Sequence, residues 1–402
     1  MKEERRNDEL KRDGLSFIVA AFLVPTFIIM VAILERRTFR DFDWILALLA
    51  VMIVVFGTWQ IHNAQPTETY WQKQLIGLGI ALVVMVAISL ADYRKLVHIA
   101  PAFYLFGLAL LIIVLIPGIG MKINGQRAWI KMPIVGQFQP SEFVKIPTVL
   151  MLARFFGRHR NGILTLKETL IGVGILALPV GLILLEPDVG QTLTYLPLLA
   201  VVLFLSAVRM RWVVVVLVLS IAAAPAAYYV GVKTGKIKGY QQERIKVILD
   251  PDSADPRGYA YHTIQSIVTV GKGGLTGSQA SSEYSQSRLK FLPEPHSDFI
   301  FAVTAESTGF LGCMLLLAAY ALLLSRLMSG ARRAPDRTGM LVIMAIVGGI
   351  AFQLFINIGM ALGMLPVIGV PLPLMSAGLS SVLATFIAIG FAISVQLRRF
   401  VN

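Results

Sequence analysis

Cysteine is almost missing from this 402-residue chain. Cys313 stands alone, so no intrachain disulfide can form; inside an apolar run it reads as a small packing residue. Charge is scarce too. Asp, Glu, Lys and Arg make up 15% of the residues, against about 25% in a soluble domain. That excludes an ordinary water-soluble core under a charged surface. The five histidines, at 62, 98, 159, 262 and 296, fit no metal-ligand spacing. No long-period repeat and no low-complexity tract is present, which excludes a solenoid or a disordered tether. A cleavable signal peptide is not expected, because the first apolar run is long and has no small-residue cleavage pattern.

What is abundant is apolar. Hydrophobic residues make up 56% of the chain, and mean hydropathy is +0.74. Runs near membrane-spanning length fall at 15–34, 44–61, 74–91, 96–117, 141–156, 168–185, 190–208, 212–232, 298–325, 340–362 and 376–397. The expectation is an all-α polytopic membrane protein. The net charge of +13 is no nucleic-acid signal here, since the basic residues gather in short loops between apolar runs. Arg36, Arg37 and Arg40 mark one such loop, and Arg94 with Lys95 the next. Arg154, Arg158, Arg160 and Lys167 mark a third, then Arg209 with Arg211, and Arg326 to Arg337. Arg398 and Arg399 place the C-terminus inside. The alternation puts the N-terminus outside, with residues 15–34 as a first span that Pro25 could kink.

Two outer segments are large: residues 118–140, and residues 233–297, long for an unstructured connection. In the second, Tyr240–Leu249 and Tyr259–Val270 have helical apolar spacing, before glycines at 271, 273, 274 and 277 break the pattern. Leu292-Pro293-Glu294-Pro295-His296-Ser297-Asp298 closes that segment and opens an apolar run. A carboxylate at a membrane helix mouth is costly to desolvate, so Asp298 either caps the helix or does chemistry as a base. In Gln139-Pro140-Ser141-Glu142-Phe143-Val144-Lys145, Glu142 and Lys145 share a helix face and can pair, for structure or to line a cavity. Glu186-Pro187-Asp188 lies in a tight turn. Its carboxylates are either solvated, or face a cavity where they bind sugar hydroxyls or a divalent cation such as Mg2+ or Mn2+. Arg244, Lys246, Arg257, Lys272, Arg288 and Lys290 form the cationic set of the large loop. Asn357–Met360 and Leu365–Pro373 form a Gly/Pro-broken stretch, tolerated at membrane depth where backbone lines a cavity or is buried in protein.

Taken in order, these stretches resemble the SEDS family (shape, elongation, division and sporulation), most closely its RodA branch. The likeness runs over roughly residues 44–400 and rests on Gln139–Lys145, Glu186–Thr192, Tyr240–Pro251, Tyr259–Ser266, Gly273–Gly277, Leu292–Phe310 and Asn357–Pro373. The resemblance implies a peptidoglycan glycosyltransferase of the bacterial inner membrane that polymerises lipid II beside a class B penicillin-binding protein, with membrane lipid and no nucleic acid as its surroundings. It implies ten family helices in residues 44–402, around an extracytoplasmic loop at 233–297, with 1–43 as an extension carrying an extra span. Asp298 matches the family's essential aspartate, and Glu142 with Lys145 its buried acid–base pair. Asp188, Arg244, Gln286, Lys290 and His296 would line the cavity, with the loop cations on a lipid-linked pyrophosphate. No cofactor is certain. The sequence departs from the family at Ser376–Ser381, at Ala305-Glu306-Ser307 and at Ala128. A lipid II flippase, which would show paired broken helices, and a non-catalytic scaffold, which would leave Asp298 idle, are the alternatives.

Overall fold

The computed structural model describes residues 40–123, 126–132, 136–158, 164–206, 259–278, 285–289 and 291–400, with residues 211, 212, 214, 215 and 218. The expected span at 15–34, most of that at 212–232, the helix at 240–249, Arg244 and Lys290 lie outside the described residues.

Eleven α-helices are found among the described residues: α1 Trp44–Ala64, α2 Tyr70–Leu90, α3 Tyr93–His98, α4 Ala100–Leu115, α5 Pro140–Gly157, α6 Leu166–Leu185, α7 Val189–Leu205, α8 Tyr259–Lys272, α9 Ile300–Arg332, α10 Arg337–Ala361 and α11 Leu379–Leu397. Six of them, α1, α2, α6, α9, α10 and α11, are long and apolar enough to cross a membrane. The helix starts are written locally. Asp43, Asp188 and Asp336 accept bonds from the first turns of α1, α7 and α10, and Thr165 with Glu168 forms a capping box at α6. One continuous apolar core joins α1, α2, α5, α7, α9, α10 and α11, with α11 lying along α2.

The chain departs from the expected run of plain helices in three places. The span expected at 96–117 is two helices, because Pro101 at the head of α4 lacks an N–H and starts a new helix after Ile99. The outer segment at 118–140 is a three-stranded antiparallel sheet: β1 Gly120–Ile123, β2 Gln126–Met132 and β3 Gly136–Phe138. Ile123 pairs with Gln126, and the two residues between them in sequence are Asn-Gly, a strong hairpin signal. The helix expected at 298–325 runs on to Arg332 and is broken at Gly309, whose φ of 66° is left-handed. Arg326, expected in a loop, lies on α9, where its guanidinium reaches Asp43 at 2.8 Å.

The Gly309 break has partners. The N–H groups of Phe310 and Leu311 donate to Gly274 O at 2.9 Å and Leu275 O at 3.1 Å, and Ser278 N donates to Glu306 O at 3.0 Å. Backbone from 273–278 crosses α9 so closely that a Cβ on Gly309 would stand 2.3 Å from Gly277 N. A Cβ on Gly273 would stand 1.9 Å from Ala305 O. Those glycines therefore serve close packing.

Candidate active site

The connections α1–α2, β3–α5, α6–α7 and α10–α11, and the approach to α9, meet at one end of the bundle. Asp298 is half-buried there, two residues before α9. A Cβ on Gly369 would stand 3.5 Å from its Oδ2, so the Gly/Pro-broken stretch after α10 lies against the carboxylate. The α6–α7 turn follows behind it: a Cβ on Gly190 would stand 2.5 Å from Ile368 O. Asp298 itself does not cap α9, whose N-cap residue is Phe299 with no side-chain cap bond. Left-handed backbone at Glu294 (φ 44°) and Leu374 (φ 68°) flanks the site, a cost that the surrounding packing must offset.

Beside this mouth lies a second polar cluster. The ion pair expected from the Glu142–Lys145 spacing forms, with Lys145 Nζ 3.1 Å from Glu142 Oε2. Gln191 Nε2 donates to Glu142 Oε1 at 2.6 Å, and Tyr195 Oη donates to Ser141 O at 2.6 Å. Asp188 caps α7 by accepting from Gln191 N at 3.0 Å, and accepts from Gln139 Nε2 at 3.1 Å. Neither carboxylate of the α6–α7 turn is solvated: Asp188 is 4% exposed and Glu186 0%. Both Glu186 oxygens lack a hydrogen-bond partner among the described residues. Burial, then the nearby Asp188 charge, pushes the Glu186 carboxyl up to about 9. Burial also raises Asp188, to about 6, against the bond from Gln191 N and the Lys145 charge. Glu186 is thus a neutral acid at neutral pH.

His296 stacks on Tyr70 with ring centroids 4.0 Å apart, and its Nε2 stands 3.5 Å from Glu294 Oε2. Burial lowers its basicity, while Glu294 and Glu68 act the other way. Gln286 is fixed through its backbone, whose N–H donates to Glu306 Oε1 at 2.6 Å. Glu306, which the sequence marks only as part of a departure from the family pattern, gathers the turn at 285–287 with its buried carboxylate. Ser285 Oγ donates at 3.0 Å, Ser287 Oγ at 2.6 Å and Ser287 N at 3.3 Å. Among the described residues no group of three or more His, Cys, Asp and Glu side chains is placed to hold a metal ion.

Fold and site together define a multi-pass α-helical membrane protein whose acidic, partly strained site closes one end of the bundle. A sequence profile for the FtsW, RodA and SpoVE proteins, described as "Cell cycle protein", matches residues 17–399. The chain belongs to this family, and so is a multi-pass protein of the bacterial inner membrane. It is 35% identical over 369 residues to the peptidoglycan glycosyltransferase MrdB of Escherichia coli K12, covering 91% of this chain and 97% of that one. It is 32% identical over 368 residues to stage V sporulation protein E of Bacillus subtilis, covering 88% and 96%. Among solved structures it is similar to a chain from the work titled "Structural coordination of polymerization and crosslinking by a peptidoglycan synthase complex". That match has a TM-score of 0.75 and 33% identity, and covers 90% of this chain and 99% of that one. The rod shape determining protein RodA of Thermus thermophilus matches with a TM-score of 0.67 and 28% identity, over 90% and 98%.

Proposed function

We propose that this peptidoglycan glycosyltransferase polymerises lipid II with Asp298 as general base. The acceptor's GlcNAc 4-hydroxyl attacks C1 of the donor's MurNAc. Asp298 takes the hydroxyl proton, the C1–oxygen bond to undecaprenyl pyrophosphate breaks, and the new bond forms with inversion from α to β. One base suffices for such a direct displacement. Arg244, Lys290 and the other loop cations steady the departing pyrophosphate. A divalent cation, Mg2+ or Mn2+, would enter as a companion of that pyrophosphate. The Glu142–Lys145 pair, Asp188, Gln286 and His296 shape the cavity. A class B penicillin-binding protein is the partner that crosslinks the strand.

One observation carries the reading. A half-buried carboxylate opens a membrane helix against irregular, strained backbone, which is the way a cavity rather than a plain helix end is built. The test is polymerisation of lipid II by purified protein, read as glycan length on a gel. Asp298→Ala and Asp298→Asn are expected to abolish polymer while yield and thermal midpoint stay close to wild type. Wild-type rates in Asp298→Asn would remove Asp298 as base.

A further inference from the structure

Three successive carbonyls around the proposed base are each gripped. His296 O accepts from Ala377 N at 2.8 Å. Ser297 O accepts from Ser376 Oγ at 2.6 Å, and that hydroxyl itself accepts from Leu372 N at 2.8 Å. Asp298 O accepts from Asn357 Nδ2 at 2.9 Å. The same Nδ2 donates to Val370 O at 2.8 Å. Asn357 lies on α10, fully buried, 59 residues from Asp298 and 13 from Val370 in sequence. Both facing atoms are carbonyl oxygens, so only the nitrogen of the amide can meet them.

We propose that Asn357 is the positioning residue of Asp298, holding the base and the Val370 backbone together as one unit. The inference rests on the reading of Asp298 as the base. Substituting the amide takes a donor away from both carbonyls and removes the side-chain link between the Asp298 backbone and Val370. A misplacement of about 1 Å can cost about 10²-fold in rate.

The experiment measures lipid II turnover, lipid II binding and the rate–pH profile of the purified full-length protein. Asn357→Ala is expected to lower turnover about 10²-fold while lipid II binding stays within about threefold of wild type. Asn357→Leu keeps the size and removes the donor without adding a charge. Loosening Asp298 from the Val370 backbone changes the surroundings of its carboxylate, so the acid limb of the rate–pH profile is expected to leave its wild-type position. A loss of folded protein scales the whole profile down and moves neither limb. Wild-type turnover in Asn357→Ala overturns the proposal, as does binding lost in proportion to turnover. If Asn357→Ala does not fold, the Asn357→Leu profile decides, and an unshifted acid limb overturns the proposal. Equal polymerisation by wild type and Asp298→Ala would instead sink the base assignment.

Discussion

At the scale of single residues, two carboxylates a residue apart in the α6–α7 turn have taken different routes. Asp188 became a helix cap with two donors, whereas Glu186 was buried without any. Because burial raises Glu186 to about 9, the folded chain holds its proton more tightly than an unfolded one. The stability from that proton is whole below the ordinary carboxylate range and is lost as pH rises through about 9. The thermal midpoint in detergent should therefore fall between neutral pH and pH 9 or so. Glu186→Gln should flatten that fall, and an unchanged slope would count against a neutral Glu186. For Glu142 and Lys145, removing either partner strands a charge at a cost of roughly 3–5 kcal/mol if fully buried. A double-mutant cycle to Ala should show strong coupling, and additive losses would deny the pair an energetic role. This pair was legible from sequence because three residues on one helix fix a shared face. Glu306 was not, because its donors arrive from a turn some twenty residues upstream, brought by tertiary packing alone.

At the scale of elements, the helices were readable from apolar runs and capping residues, and the departures had local causes. Pro101 split one span, and Asn124-Gly125 announced a hairpin that the surrounding apolar helices overshadowed. The crossing at Gly309 could not be read, since a glycine in an apolar run reads as an ordinary helix residue until the 273–278 backbone is laid over it. Gly309→Ala should destabilise the protein, by about 1–3 kcal/mol from the left-handed φ alone and more from the clash with Gly277 N. Thermal unfolding in detergent measures it, and a midpoint at the wild-type value would refute the close crossing. Glu306→Ala should release the 285–287 turn, seen as faster amide hydrogen exchange at Gln286 and Ser287, whose N–H groups now donate to it.

For the whole molecule, charge is sorted between two ends. The site end holds Glu142, Glu186, Asp188 and Asp298, while the other is stapled by Arg326 to Asp43, Arg94 to Asp336 and Arg398 to Asp92, at 2.8, 3.5 and 3.4 Å. The basic loops at that second end are those that sequence assigned to the cytoplasm. Single cysteines placed at Thr67 and at Ala334 in a Cys313→Ser background should label with an impermeant reagent from opposite sides of the membrane, Thr67 from outside. Labelling of both from one side would break the topology. The broken helix α9 joins these ends, and a bilayer is a restless medium that bends and thins around the proteins it holds. The longer part of α9 crosses that medium, with its far end tied through Arg326 to Asp43. Backbone from 273–278 bonds α9 on both sides of the discontinuity, to Glu306 O before Gly309 and to the N–H groups of Phe310 and Leu311 after it. The gap at Gly309 is thus spliced, as a plate across a cut beam joins its two lengths, and the tip that carries Asp298 stays fastened to the shaft.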